Sequence, residues 1–228
     1  MKQKKIFYNE WAYVFGIIFL ALGTALMEKA DFGMSMVVAP AYLVYLKVSQ
    51  YLSFFTFGMA EYCLQAVILL LLTLVLRRFR VSYLFSFVTA VVYGCILDLD
   101  MLLVALIPCE TIWGRVLFYV LGMVVCAVGV SLLFHTYISP EAYELCVKEI
   151  AARFGFNINV VKTVYDCVSC AIGIILSFCF FGLWHFEGVK LGTLFCALVN
   201  GFLIGRCTVL LEKIWEFKDG RPWRKFFA

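Results

Sequence analysis

The residues of this sequence that can do chemistry are charged and amide side chains set inside long apolar runs. Glu61 and Gln65 stand four apart, Lys162 and Asp166 stand four apart, and Asp98, Asn200 and Arg206 stand singly. A spacing of four brings both members of a pair to one helix face. An ionised carboxylate facing lipid costs roughly 2.5 kcal/mol or more, so Glu61 is expected to face the bundle interior, a water-filled cavity or a cation. A carboxylate held there can bind a proton or Na⁺ and release it when its surroundings rearrange. Lys162 and Asp166 can equally neutralise each other as a structural pair. Arg206 needs a buried partner or a path along which it snorkels to the surface. Asp98 reads as deep and Asp100 as closer to water.

Such residues need helices that carry them through hydrocarbon, and the composition provides these. Of 228 residues, 64% are hydrophobic and only 15% charged, with a mean hydropathy of +0.98. Soluble chains carry about 25% charged residues, so a water-soluble domain is excluded. Apolar runs at about 11–28, 54–76, 82–107, 113–134, 158–184 and 191–214 are each long enough to cross about 30 Å of hydrocarbon at about 1.5 Å per residue. The expected fold is an all-α membrane protein with six transmembrane helices in one membrane domain over residues 1–228, ending in a basic tail at 216–228. A seventh apolar stretch, about 34–48, follows Gly33 and contains Pro40 and Lys47. It reads as a re-entrant or interfacial helix, and a full crossing there would redraw the topology.

The stretch Ala21 to Glu61 has a degraded copy at Ala127 to Asp166. Gly16 and Gly23 are seven apart in the first span, as Gly122 and Gly129 are in the fourth, and small residues so spaced let a neighbouring helix approach closely. Each copy then breaks, at Gly33 and Ser35 in the first and at Ser139 and Pro140 in the second. Ser139 reads as an N-cap with Pro140 in the first turn of a helix running from Glu141 to Phe154. That helix is amphipathic and is expected to lie at the cytoplasmic surface. With three spans per copy, an odd number, the two repeats (about 11–108 and 113–215) are expected to be inverted, each with a short re-entrant or interfacial helix. Glu61 and Asp166 then become counterparts near the membrane midplane, where inverted repeats build sites that open to either side in turn.

Orientation follows from the basic residues. Lys2, Lys4, Lys5, Arg77, Arg78, Arg80, Lys148, Arg153, Lys213, Lys218, Arg221, Arg224 and Lys225 fall on one side of a six-span arrangement, against Lys29, Lys47, Arg115 and Lys190 on the other. The positive-inside rule places both termini in the cytoplasm, and Trp11, Trp215 and Trp223 at the inner interface face Trp113 and Trp184 at the outer. The net charge of +4 and the basic tail suit anionic headgroups of the lipid bilayer rather than nucleic acid.

Other chemistries find no support. Most of the ten cysteines lie inside spans, where they act as small hydrophobes, and Cys167-x-x-Cys170 has no second pair at a metal-ligand spacing. No metal and no cofactor are expected. The sequence has no G-x-S-x-G and no H-E-x-x-H, and His135 and His185 lie at span ends, so no enzyme is expected. Gly201 and Gly205 form a G-x-x-x-G face that serves either a homodimer or the packing of the two repeats.

The pattern G-x-A-L-x-x-x-A-D-x-G-x-S from Gly23 to Ser35, with G-T-L-F-x-A-L-x-x-G from Gly192 to Gly201, resembles the YitT/YczE-like family of bacterial integral membrane proteins. The resemblance implies a multi-pass, transport-related protein of the bacterial inner membrane with no named substrate. The family's usual S-P-W-D is absent here: Met36 and Val37 follow Ser35, Val38 stands where the acid would be, and the second copy keeps Pro140 but has Ala142 for the acid. The function expected is a small secondary transporter moving a small molecule with proton or Na⁺ coupling. The alternative is a non-transporting scaffold or accessory subunit that docks a cytoplasmic protein on the 141–154 helix and the basic tail.

Overall fold

The computed structural model describes residues 5–156, 158–182 and 189–220. Its elements run β1 (Lys5–Tyr8), α1 (Asn9–Ala30), α2 (Ala39–Val48), α3 (Phe57–Leu76), α4 (Val81–Ala105), α5 (Ile112–Phe134), α6 (Ala142–Phe154), α7 (Ile158–Phe181), α8 (Leu191–Ile214) and β2 (Trp215–Lys218). Among the described residues, α1, α3, α4, α5, α7 and α8 are long and apolar enough to cross a membrane. α2 and α6 have 10 and 13 residues. At about 1.5 Å per residue they reach only about 15 and 20 Å, so neither crosses about 30 Å of hydrocarbon. The 34–48 stretch is therefore a short helix after a break and not a seventh span. Leu70, Leu74, Leu102, Leu117 and Leu198 point outward and exposed from different helices, which is stable only in a lipid surround.

Two glycine pairs fix the centre. A Cβ on Gly23 would fall 2.7 Å from the carbonyl oxygen of Gly122, and one on Gly16 would fall 3.1 Å from that of Gly129. Residue numbers rise along α1 as they fall along α5, so the two helices cross antiparallel with backbones in contact. The glycines that mark the repeat in sequence are thus each other's packing partners. Gly58 and Gly94 join α3 to α4 in the same way. Around this centre α4 packs on α1 and α8 on α5, while α2 sits between α3 and α7, and α6 among α3, α4 and α7.

The helix ends correct several expectations. α1 stops at Ala30, where Asp31 adopts the left-handed conformation (φ 55°) and its amide bonds back to Glu28. Gly33 does not end the helix; it lies beyond, at φ +112°, where a Cβ would meet the Thr193 hydroxyl. Asp31 binds Arg115 (2.8 Å) and Lys190 (2.5 Å), so two basic residues assigned to the outer side share one acid. α6 starts at Ala142 with Glu141 as its N-cap residue. Ser139 is not the cap, and Pro140 precedes the helix. Their backbone is anchored to α4 instead: Ser86 donates to the Pro140 carbonyl (2.6 Å), Thr89 to that of Ser139 (3.0 Å), and the Ser82 and Ser139 hydroxyls pair at 2.8 Å.

α6 does not lie on the surface. Ala142, Tyr143, Leu145, Cys146, Val147 and Ala151 are buried, and only the turn from Ala152 to Phe154 is exposed. Gly155, at φ +68°, ends it. The chain ends form a parallel two-stranded ribbon with Lys5 opposite Trp215 and Tyr8 opposite Lys218, extended by Asn9 to Asp219 (2.5 Å) and Gly220 to Glu10 (3.1 Å). Asn157, the Asn159 side chain, Trp184, His185 and the tail from Arg221 on lie outside the described residues.

Candidate functional site

Glu61 sits in the second turn of α3 and is wholly buried, as is Gln65 one turn on. The start of α3 is held by Thr56, whose hydroxyl accepts from the Met59 amide, and by Asp98, which accepts from the Thr56 hydroxyl (2.6 Å) and the Gly58 amide (2.8 Å). Asp98 is thus consumed in capping α3, and its carboxylate there also suits the positive end of the helix dipole. Packing distinguishes the two aspartates: Asp98 is partly exposed, while Asp100 is buried and its Oδ2 has no partner among the described residues.

The partners of Glu61 come from the second break. Tyr143 donates to Glu61 Oε2 at 2.7 Å, and Gln65 Nε2 lies between Glu61 Oε2 (3.5 Å) and Glu141 Oε2 (3.4 Å). Gln65 Oε1 accepts the Ala142 amide at 3.0 Å, satisfying one of the free donors at the start of α6. Glu61 and Glu141 are therefore two buried carboxyls bridged by one amide, each with its Oε1 unpartnered among the described residues. Burial, with the charges of Glu61 and Glu144 adding to it, pushes the Glu141 carboxyl well above the usual range. Burial and Glu61 likewise push Tyr143 up.

A second cluster adjoins the first. Lys162 binds Glu144 at 3.2 Å and Asp166 at 3.1 Å. Asp166 reaches the site through Lys162, and the carboxyl that shares the Gln65 amide with Glu61 is Glu141, on the break itself.

Both clusters border an internal cavity of about 80 Å³, room for several waters at about 10–15 Å³ each. The second half of the chain supplies its charged wall: Glu141, Glu144 and Lys162, with Asn200 from α8. The first half supplies Thr24, Tyr93 and Ser35, the last from the first break. Both breaks thus meet at one cavity. Arg206 is excluded from it: the side chain is exposed beside Phe202, 5.0 Å from the ring centroid, on the side of α8 that also exposes Gly201 and Gly205. Among the described residues neither glycine has anything within 4 Å of where a Cβ would stand, so the G-x-x-x-G face does not pack the described parts of the two halves together.

Of the residues singled out from the sequence, Lys162, Asn200 and Ser35 line the cavity; Glu61, Gln65 and Asp166 join it through their bonds to Tyr143, Glu141 and Lys162, Ser139 and Pro140 line a separate groove beside Arg78 and Lys148, and Asp98 and Arg206 stand apart. Sequence reasoning missed Glu141, Tyr143 and Glu144 because a polar helix face reads as a wet one. The available signal was their place immediately after Ser139-Pro140, since side chains that follow a break inside a membrane protein line whatever the break encloses.

The two stretches behind the family resemblance also meet. The Gly192 amide donates to the Phe32 carbonyl at 3.0 Å, and Tyr119 donates to the Gly192 carbonyl at 2.5 Å. A Cβ on Gly192 would lie 2.4 Å from the Phe32 oxygen, which accounts for glycine at this contact. No curated protein and no solved structure matches the chain. The profile of one family matches residues 7–209, a range that takes in both breaks, the buried carboxyls and every helix lining the cavity: the chain belongs to the family of unknown function DUF6198.

Proposed function

We propose that this protein is a small secondary transporter of the cytoplasmic membrane, moving a small molecule through the cavity at the two breaks with proton or cation coupling. The observation that carries the reading is the cavity itself: two interrupted helical segments converge on buried carboxyls, which are costly in a membrane bundle and mark a functional site there by default. An inverted repeat is supported by the antiparallel Gly16–Gly129 and Gly23–Gly122 register. It is also supported by exchanged packing, with the short helix of each half lying against the long helix that follows it and against the equivalent long helix of the other half. The excess of basic residues near Arg77–Arg80, Lys148 and the chain ends supports cytoplasmic termini. The resemblance to the YitT/YczE-like family points the same way.

The test uses proteoliposomes holding a pH-sensitive dye, challenged with a panel of small metabolites under an imposed pH gradient. Wild-type vesicles are expected to give substrate-dependent proton flux, and Glu61→Gln to abolish its pH dependence. Flux unchanged in that variant removes the coupling role. A silent panel, with a stoichiometric cytoplasmic protein co-purifying, favours the accessory-subunit reading, for which Arg78, Lys148 and the Arg80–Glu149 ion pair line a groove.

A further inference from the structure

The charge around the cavity does not balance. Glu61, Glu141, Glu144 and Asp166 contribute four carboxyls, and Lys162 is the one cation among the described residues of the two clusters. Lys162 is committed to Glu144 and Asp166, at 3.2 and 3.1 Å. Glu141, 5% exposed, lines the cavity with Oε1 unpartnered. Lys162 acts on it from a distance, and the other groups that face it carry no positive charge: Tyr13 from α1, Glu61 from α3, Tyr93 from α4, Cys126 from α5, and Tyr143 and Glu144 from its own helix. Lys162 and Asp166 of α7, already paired with each other, complete the set.

The rest of the wall identifies what kind of positive charge fits. A metal ion needs several oxygen ligands free to turn toward it. Here, among the described residues, no three His, Cys, Asp or Glu side chains are grouped so as to hold a metal ion. Most of the remaining wall is apolar and polarisable, including Met27, Met123, Val38 and Leu133. Such walls match an ammonium head carrying alkyl groups.

Resting on the transport reading, we propose that the cavity binds a small organic ammonium ion, whose cationic head takes the place of a proton on Glu141. The exchange is balanced: Glu141–COOH and R–NH₃⁺ give Glu141–COO⁻ paired with R–NH₃⁺, and one proton leaves to the side on which the cavity is open. The same carboxyl serves cation and proton in turn, so loading one expels the other, which is the logic of an exchanger.

The test is calorimetric titration of the purified full-length protein with methylammonium and tetramethylammonium, alongside NaCl, acetate and phosphate. Two buffers of different ionisation enthalpy report proton release. The expected result is binding of the ammonium ions alone, with up to one proton released per cation and affinity falling about tenfold for each unit by which pH is lowered where Glu141 is protonated. Glu141→Gln is expected to weaken binding at least tenfold while still melting cooperatively. Should that variant fail to fold, proton release by the wild type still decides. Binding of Na⁺ without ammonium, binding of the anions, ammonium binding without proton release, or no binding by folded protein each overturns the proposal. Binding without flux in vesicles leaves it standing and removes the transport reading; flux of an anionic or neutral metabolite does the reverse.

Discussion

At the scale of single residues, Glu141 concentrates the chemistry. A carboxyl that folding buries beside Glu61 and Glu144 prefers its protonated form, so the folded state holds a proton the unfolded chain gives up. Its contribution to stability is present in full below the ordinary value of 4.5 and is lost as pH rises through the elevated folded value. Within that window each pH unit costs about 1.4 kcal/mol. The melting temperature of detergent-solubilised protein is therefore expected to fall as pH is raised from about 5, with a shallower fall in Glu141→Gln. A melting curve series across pH checks this, and identical slopes for the two proteins would refute it. Glu61 was legible from sequence because an acid inside an unbroken apolar run has no innocent place. Glu141 was not, because a surface helix and a helix facing an internal cavity share one polar periodicity.

At the scale of elements, the backbone contact between α1 and α5 holds the halves together. A Cβ on Gly129 would lie 2.7 Å from the Leu20 amide nitrogen and 2.8 Å from the Gly16 carbonyl oxygen, and neither backbone atom can yield without shifting a helix. Gly129→Val is expected to cost about 1–3 kcal/mol as overpacking, read as a lower melting temperature. Gly201→Leu meets nothing within 4 Å and is expected to melt like wild type. Light scattering on the same variant tests the homodimer: conversion of a dimer to a monomer assigns the Gly201–Gly205 face to a second copy. Spacing alone made the two glycine faces look alike, since G-x-x-x-G and a seven-residue interval both permit close approach and neither names a partner.

At the scale of the whole molecule, six crossings and the pairing of Lys5–Tyr8 with Trp215–Lys218 put both chain ends together on one side. With the basic loops on that side, a green fluorescent protein fused to the C-terminus is expected to fluoresce and alkaline phosphatase fused there to stay inactive. The opposite pair of results would invert the topology and with it the side to which each break faces.

Six spans and the break at Ser139-Pro140 were determined by the sequence alone, whereas the length of α2, ten residues, was needed to show that the stretch at 34–48 does not cross. Hydropathy, run length and helix-breaking residues are local properties, and in a membrane the solvent enforces them. Which carboxyls share the cavity was decided only by tertiary structure. Glu61 meets Tyr143 and Glu141 because α6 is inserted among α3, α4 and α7 instead of lying on the surface. Asp98 is withdrawn from the site because it lies within reach of the amides that open α3. Both outcomes depend on the angle and depth at which helices cross, set here by glycine contacts between segments about a hundred residues apart, and no local pattern encodes them.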